Sequence, residues 1–377
     1  MKLTVVAEKV TPLGGMERAA AEVVRRVART HDVTVIATQC EVTSDRVSWI
    51  PVPPARGPAV VSEQAFFSRA AKLVRAVPRP TVINSVMLAV TDPDVVTAQF
   101  CNAAFSARYG GLRGGARRVR RAYQSLVEQA YARRERRLYA SPRLRAVIAV
   151  SQGLKRELME FYGMPEEKIV VIPNGVDHSV FKPAGSMDAK RRLRRELDLP
   201  ESAFLALFVG GDWDRKGLGD AIHAVAATPD VVLVVVGSGD VQRFQALAAR
   251  AGAAARVLFA GLSRTPERYF AAADVFVVPS RYETFSMSTL EAEASGLPIL
   301  ASRMNGVEDR IHEGVNGYIV GTDPAAIRDK IIALRDDPAL LGRMSTAAAT
   351  ASRRYDWDWI AAEQLAVFES VAATVAS

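Results

Sequence analysis

The sequence predicts an α/β protein built as two doubly wound domains. Three observations carry that reading. Short runs rich in Val, Ile and Leu alternate with helical patterns through both halves, and such alternation demands crossovers and parallel strands. Glycine-bearing turns follow several of these runs, at Gly14-Gly15, Gly210-Gly211 and Gly237-Ser238-Gly239. The chain has 377 residues, more than one hydrophobic core serves.

Composition narrows the class. Apolar residues make up 49% and charged residues 24%, ordinary for a soluble globular protein. No apolar run reaches the length of a membrane span. Leu3 to Ala7 is too short for a signal-peptide core. Cys40 and Cys101 make no disulfide framework, so a reducing cytoplasm is expected. The formal net charge of +8 calls for a polyanionic neighbour: phosphorylated lipid, anionic membrane or nucleic acid.

In the first half, Leu3 to Ala7 reads as a buried strand. The Gly14-Gly15 turn and a helix from about Met16 to Thr30 follow it. Further strands are expected at Val33 to Ala37, Val82 to Asn84, Val95 to Phe100 and Val147 to Val150, with a proline-rich connection from Pro51 to Pro58. Gly15 lets backbone N–H groups approach a ligand closely, though turn geometry alone also explains paired glycines. No dinucleotide fingerprint is present, because Arg18 and Ala19 stand where its third glycine would fall.

Between Arg108 and Arg145 the chain turns basic, with Arg113, Arg117, Arg118, Arg120, Arg121, Arg133, Arg134, Arg136 and Arg137. Tyr123, Leu126, Ala130 and Tyr131 interrupt the charge at near-helical spacing, which predicts an amphipathic basic helix. Two readings stay open: a solvated face paired with Glu128 and Glu135, or a contact for anionic lipid headgroups or a phosphorylated acceptor. The four tryptophans and nine tyrosines form no interleaved stacking pattern with the arginines, so nucleic acid is not an expected partner.

Phe181 to Ser186 has the composition of a linker. A second alternating series follows, with strands at Phe204 to Val209, Val231 to Val236, Val257 to Phe259, Val275 to Val278, Ile299 to Ser302 and Tyr318 to Val320. Trp357 to Ala376 is a helical pattern.

One stretch of this second series concentrates chemistry. Ser280 to Ser288 is a polar loop between the Val275 strand and a small-residue helix from Leu290. A loop feeding a helix N-terminus offers unpaired N–H groups and a positive dipole end to an anion. Glu283 and Glu291 flank it, and carboxylates accept well from sugar hydroxyls. Arg215 and Lys216 follow the Phe204 strand at a helix start, where two cations oppose the dipole unless an anion is bound. A diphosphate removes that conflict; simple pairing of the two cations with Asp212 and Asp214 is the other reading. Asp212-Trp213-Asp214 matches a metal-binding pattern, but Asp92-Pro93-Asp94 and Asp356-Trp357-Asp358 repeat it, so it is cheap; Asp214 is read as an N-cap. The four histidines show no metal-ligand spacing.

Glu283 and Glu291 stand at the E-x7-E spacing of retaining glycosyltransferases of GT-B architecture, family 4. Gly14-Gly15-Met16-Glu17-Arg18, Val150 to Lys155 and Val171 to Asp177 resemble further segments of that family, and Phe208 to Gly217 is similar to the lipopolysaccharide core glucosyltransferase I group. The likeness spans nearly the whole chain.

The resemblance implies two Rossmann-like domains facing across a cleft. They are expected at 1–183, with the helix 357–377 packing back on it, and at 184–356. It implies retaining transfer of a hexose from a UDP-sugar, glucose being favoured, to a hydroxyl of a glycan or lipid-linked acceptor entering over the first domain. The diphosphate would lie on Arg215, Lys216, Thr289 and backbone near Ser286 and Met287, with Gly15 also a donor contact. Glu291 would hold the ribose and Glu283 the donor sugar. Many relatives carry an arginine where Gly211 stands, and a histidine where Gln99 stands, so Gln99 is the first-domain group expected at the sugar. No metal or other cofactor is expected. The expected location is the cytoplasm, with peripheral attachment to the inner face of the membrane left open. A sugar-nucleotide epimerase or hydrolase of the same architecture is the alternative.

Overall fold

The computed structural model describes residues 1–55, 57, 59–78, 81–110 and 118–376. The chain divides into two compact units, Met1–Gly175 with Trp357–Ser377, and Val176–Asp356.

The first unit holds strands β1 (Lys2–Val6), β2 (Lys9–Val10), β3 (Asp32–Ala37), β4 (Gln39–Cys40), β5 (Val47–Pro51), β6 (Val82–Val86), β7 (Val95–Ala98), β8 (Ala146–Ala149) and β9 (Ile169–Val171). Seven of them form one parallel sheet in the order β5-β3-β1-β6-β7-β8-β9, and β2 pairs with β4. β7, apolar except for Thr97, and the unbroken apolar run of β8 are buried on both faces, as central parallel strands must be. The helix Met16–Val27 turns Ala19, Ala20, Val23, Val24 and Val27 inward at spacings of three and four. Each large apolar side chain buried this way contributes roughly 1.5–3 kcal/mol.

The helix Trp357–Ala376 belongs to this unit. It buries Trp357, Ile360, Ala361 and Phe368, while Arg26 and Arg29 hold its Asp358 at 2.5 and 3.2 Å. A Cβ on Gly175 would lie 2.6 Å from Cδ2 of Trp357, so only glycine lets the backbone pass that ring.

The second unit holds β10 (Phe204–Val209), β11 (Val231–Val236), β12 (Val257–Gly261), β13 (Val275–Val278), β14 (Ile299–Ala301) and β15 (Gly317–Ile319). They form a parallel sheet in the order β12-β11-β10-β13-β14-β15. Every residue of β11 and β13 is buried.

Several expectations shift. The first unit ends at Gly175, not Pro183. Val176 N donates to Tyr355 O at 2.8 Å, and Phe181 is buried edge-on against Phe270, so Phe181 to Ser186 adjoins folded structure rather than bridging units. The strand β5 went unforeseen because it is an edge strand with exposed Ser48 and Trp49 and no apolar run. The helix of the polar loop begins at Met287, one turn before Leu290. No described helix is long and apolar enough to cross a membrane.

Candidate functional site

The site begins where β13 ends. Tyr282 and Phe285 of the following loop turn inward and are 4% exposed each, which anchors the polar residues between them. Ser302 donates its hydroxyl to Ser280 O and ties the loop to β14.

Glu283 is the centre. Its Oε1 accepts from Lys216 Nζ at 2.7 Å, Arg215 Nη1 at 2.9 Å and Ser280 Oγ at 3.3 Å. Arg215 also donates from Nη1 to Tyr282 O at 2.6 Å and from Nε to Asp212 Oδ2 at 2.9 Å. The side chains of Glu283 and Lys216 are 12% exposed and that of Arg215 17%, so this cluster is not a solvent-screened surface pair. Burial pushes the Glu283 carboxyl up, but the charges and hydrogen bonds of Lys216 and Arg215 outweigh it and hold the group below the usual carboxylate range. Burial likewise opposes the charge on Arg215, and Glu283 and Asp212 more than restore it. Lys216 lies across the backbone of Gly210, where a Cβ would stand 2.6 Å from Cε of the lysine.

Eight buried or half-buried residues, Met287–Ala294, continue as a helix. Its N-cap, Ser286, has φ +63°, a left-handed conformation costing a non-glycine residue about 1 kcal/mol or more. The hydroxyls of Ser286 and Thr289 lie 2.7 Å apart, and no side chain caps the helix start. Glu291 follows within the same helix and is 5% exposed.

Arg310 holds this strained turn in place. Its Nη1 donates to Phe285 O at 3.1 Å and its Nη2 to Ser286 O at 3.4 Å. The guanidinium stacks 4.5 Å from the Phe285 ring centroid and pairs with Glu293 at 3.1 Å, both side chains being essentially unexposed. Burial raises the Glu293 carboxyl, and Arg310 offsets this only in part. Gly306 passes so close that a Cβ would lie 2.6 Å from Cα of Phe285. Sequence reasoning missed Arg310, since no motif spacing links it to the loop.

Arg215, Lys216 and Glu283 are thus in direct contact, where the sequence assigned the cations to a diphosphate and Glu283 to the sugar. Ser286, Met287, Thr289 and Glu291 stand together on one helix in the same unit. In the first unit Gly15 is the N-cap of the Met16–Val27 helix, without a side-chain cap. Gln99 follows β7, buried, and exchanges two 2.9 Å hydrogen bonds with the amide of Asn174. Its amide is engaged within the protein. Asp214 is not an N-cap; Gly217 caps that helix, and Asp214 instead takes a two-pronged pair from Arg243 at 2.6 Å. Asp212 and Asp214 therefore face different arginines. Among the described residues no three His, Cys, Asp or Glu side chains gather as cation ligands.

Arg113 and Arg117 lie outside the described residues, as do the side chains of Arg118, Arg120 and Arg121. Their helix, Arg118–Tyr139, is present. Arg133, Arg136 and Arg137 are exposed, but Arg134 is turned inward, 3.8 Å from the Phe67 ring centroid. Glu135 is fully buried and accepts from Asn102 and Tyr162, so it is no partner for the exposed arginines.

A cradle of two cations, a carboxylate and an uncapped helix start can bind a dianion and polyol hydroxyls together. Residues 13–180 match the family described as Glycosyltransferase Family 4, and residues 189–351 match Glycosyl transferases group 1. A D-inositol 3-phosphate glycosyltransferase of Xylanimonas cellulosilytica is 36% identical over 237 residues, 59% of this chain and 56% of the relative. The chain spans about half the length of the curated relatives it matches. WaaG, a glycosyltransferase involved in lipopolysaccharide biosynthesis, superposes with a TM-score of 0.80 at 20% identity, over 97% of this chain and 99% of its own. Anabaena HepE in complex with UDP-glucose gives 0.75 at 20% identity, over 97% and 100%. Likeness at that identity shows a shared fold.

Proposed function

Since the chain belongs to the GT-B glycosyltransferases, pairing a family 4 domain with a group 1 domain, we propose that it moves a hexose from a UDP-sugar to a hydroxyl of a glycan or lipid-linked acceptor, with retention at the anomeric carbon. The observation that carries this is the cluster of Arg215, Lys216 and Glu283 beside the loop that opens the Met287–Ala294 helix. The HepE complexes with UDP and UDP-glucose support a uridine diphosphate donor.

On donor binding the diphosphate takes over Arg215 and Lys216, supported by N–H groups at Ser286 and Met287 and by the hydroxyl of Thr289. Glu283, released from the cations, accepts from hydroxyls of the hexose, and Glu291 accepts from the ribose. The bond from the anomeric carbon to the diphosphate breaks with its electron pair leaving on the phosphate. The acceptor oxygen bonds to the same face of that carbon, and its proton passes to the departing phosphate. Negative charge grows on the diphosphate, so cations already in place stabilise the transition state more than the ground state. No metal is assigned a part.

Incubation of UDP-glucose with a glycolipid extract, in a strong chelator, tests this. UDP release should require the acceptor, the product should keep the anomeric configuration by NMR, and Lys216→Met should abolish both. UDP release that is independent of acceptor would point to hydrolysis instead, and activity restored only by manganese would return a metal to the mechanism.

A further inference from the structure

The first unit contains a cavity of about 210 Å³ that the donor chemistry does not use. It lies at the carboxyl ends of β1 and β6, beside Ala7 and Val86. Open parallel sheets bind ligands at that edge. Phe66, Phe67 and Leu88 form a buried apolar wall, to which Met16 and Met87 add flexible thioethers. A cavity of roughly 150 Å³ suffices for a benzene ring, so a ring or short alkyl body fits here.

The charge around that wall is acidic. Glu8, Glu17 and Glu63 line it against a single lysine, Lys9. None of these four side chains makes a hydrogen bond or ion pair among the described residues. Burial and the neighbouring Glu8 push the Glu63 carboxyl up, an electrostatic conflict that a bound cation would relieve. The nearby Arg134 does not supply that cation: its guanidinium covers Phe67 and donates to Leu88 O at 2.7 Å and Ala89 O at 3.1 Å.

The backbone adds an independent sign of function. Met87 has φ +56°, which an unbranched side chain of this size rarely adopts. Three contacts hold it there: its N–H donates to Thr97 O at 3.0 Å, its carbonyl accepts from Ser85 Oγ at 3.0 Å, and its sulfur accepts from Gln99 N at 3.1 Å. Strain of this kind persists where surrounding structure imposes it, and it gathers at ligand sites.

We infer that this cavity receives the acceptor, and that the acceptor presents an apolar ring or short alkyl body together with a cationic amine, not a phosphate. The word acceptor rests on the transferase reading; the preference for an amine rests on the cavity alone. A phosphate in the same place would meet three carboxylates and one ammonium group.

The test uses the full chain and three probes of similar size: 2-phenylethylamine, 3-phenylpropionate and phenyl phosphate. Ligand-observed NMR should rank the amine at least about tenfold tighter than either anion, from charge attraction at a partly desolvated site. Replacing Glu8 and Glu63 together with Gln should remove that ranking while UDP affinity, measured by calorimetry, stays unchanged. Glu8→Gln alone, at an exposed position, should shift it in the same direction if the double variant does not fold. Phenyl phosphate binding as tightly as the amine, no binding of any probe, or an amine preference that survives the substitutions would each overturn the proposal. Failure to bind UDP with the amine preference intact would sink the transferase reading and leave the cavity's selectivity standing.

Discussion

Glu283 sits between two roles, and the difference is measurable. Its carboxylate neutralises Lys216 and Arg215, which a diphosphate would claim. Glu283→Gln keeps the shape but removes the carboxylate that Lys216 and Arg215 share, leaving Arg215 paired with Asp212 alone. UDP should then bind as tightly as before or more tightly, while hexosyl transfer falls roughly a hundredfold or more because the sugar loses its charged acceptor. Calorimetry with UDP and a transfer assay on one preparation separate the two effects; weaker UDP binding would contradict the role. The acid-side stability profile gives a second check. The folded carboxyl lies below its ordinary range. Its stabilising contribution is therefore present above that range and lost as pH falls through the folded value, and the Gln variant should lack this component of the pH–stability curve. Glu291, 5% exposed on the next helix, calls for a different outcome. Glu291→Gln should raise the UDP dissociation constant roughly ten- to hundredfold, from about 1.5–3 kcal/mol for hydrogen bonds to a charged group. Calorimetry showing unchanged affinity would remove it from the ribose site.

At the scale of elements, the Met287–Ala294 helix is aimed by what lies outside it. Arg310 reaches the carbonyls of Phe285 and Ser286 and leans on Glu293 inside the helix. Arg310→Met leaves Glu293 buried without its charge partner, at a cost of about 3–5 kcal/mol, and loosens the strained turn at Ser286. Urea unfolding should show the loss, and pairing Arg310→Met with Glu293→Leu should recover most of it, since an apolar pair of similar volume can replace a buried ion pair. The UDP affinity of that double variant should stay low, because the carbonyls of Phe285 and Ser286 still lack their clamp; recovered affinity would make Arg310 a packing residue only. The pH dependence has a definite sign. Burial already raises the Glu293 carboxyl, and losing Arg310 raises it further. An acid raised by folding costs stability above its unfolded value and nothing below it, so the deficit of Arg310→Met should shrink on acidification into the ordinary carboxylate range.

For the whole molecule the question is where a chain of net charge +8 resides. The Arg118–Tyr139 helix exposes Arg133, Arg136 and Arg137, and the stretch before it is also arginine-rich. Each arginine near an anionic bilayer is worth roughly 1 kcal/mol, within about a Debye length. The protein is expected to pellet with anionic vesicles at low salt and to stay in solution with neutral ones. Replacing Arg117, Arg118, Arg120 and Arg121 with Gln should abolish pelleting. Equal recovery with neutral and anionic vesicles would leave the stretch a solvated face. Arg134 is excluded from that set, because it already covers Phe67.

Local patterns determined most of the fold. Period and apolar runs placed every strand of the second sheet and the Trp357–Ala376 helix, because a residue's place in a helix or buried strand depends on neighbours a few positions away. The E-x7-E spacing was legible for the same reason, since loop and helix are contiguous. What the tertiary structure decided joins residues far apart in the chain. Glu283 meets Arg215 across 68 positions and Gln99 meets Asn174 across 75, pairings that only the tertiary fold brings about. Whether Asp214 caps a helix or pairs with Arg243, and whether Arg134 faces solvent or an aromatic ring, likewise turned on which surfaces the crossovers bring together. Periodicity assigns a residue to a face; only packing names its partner.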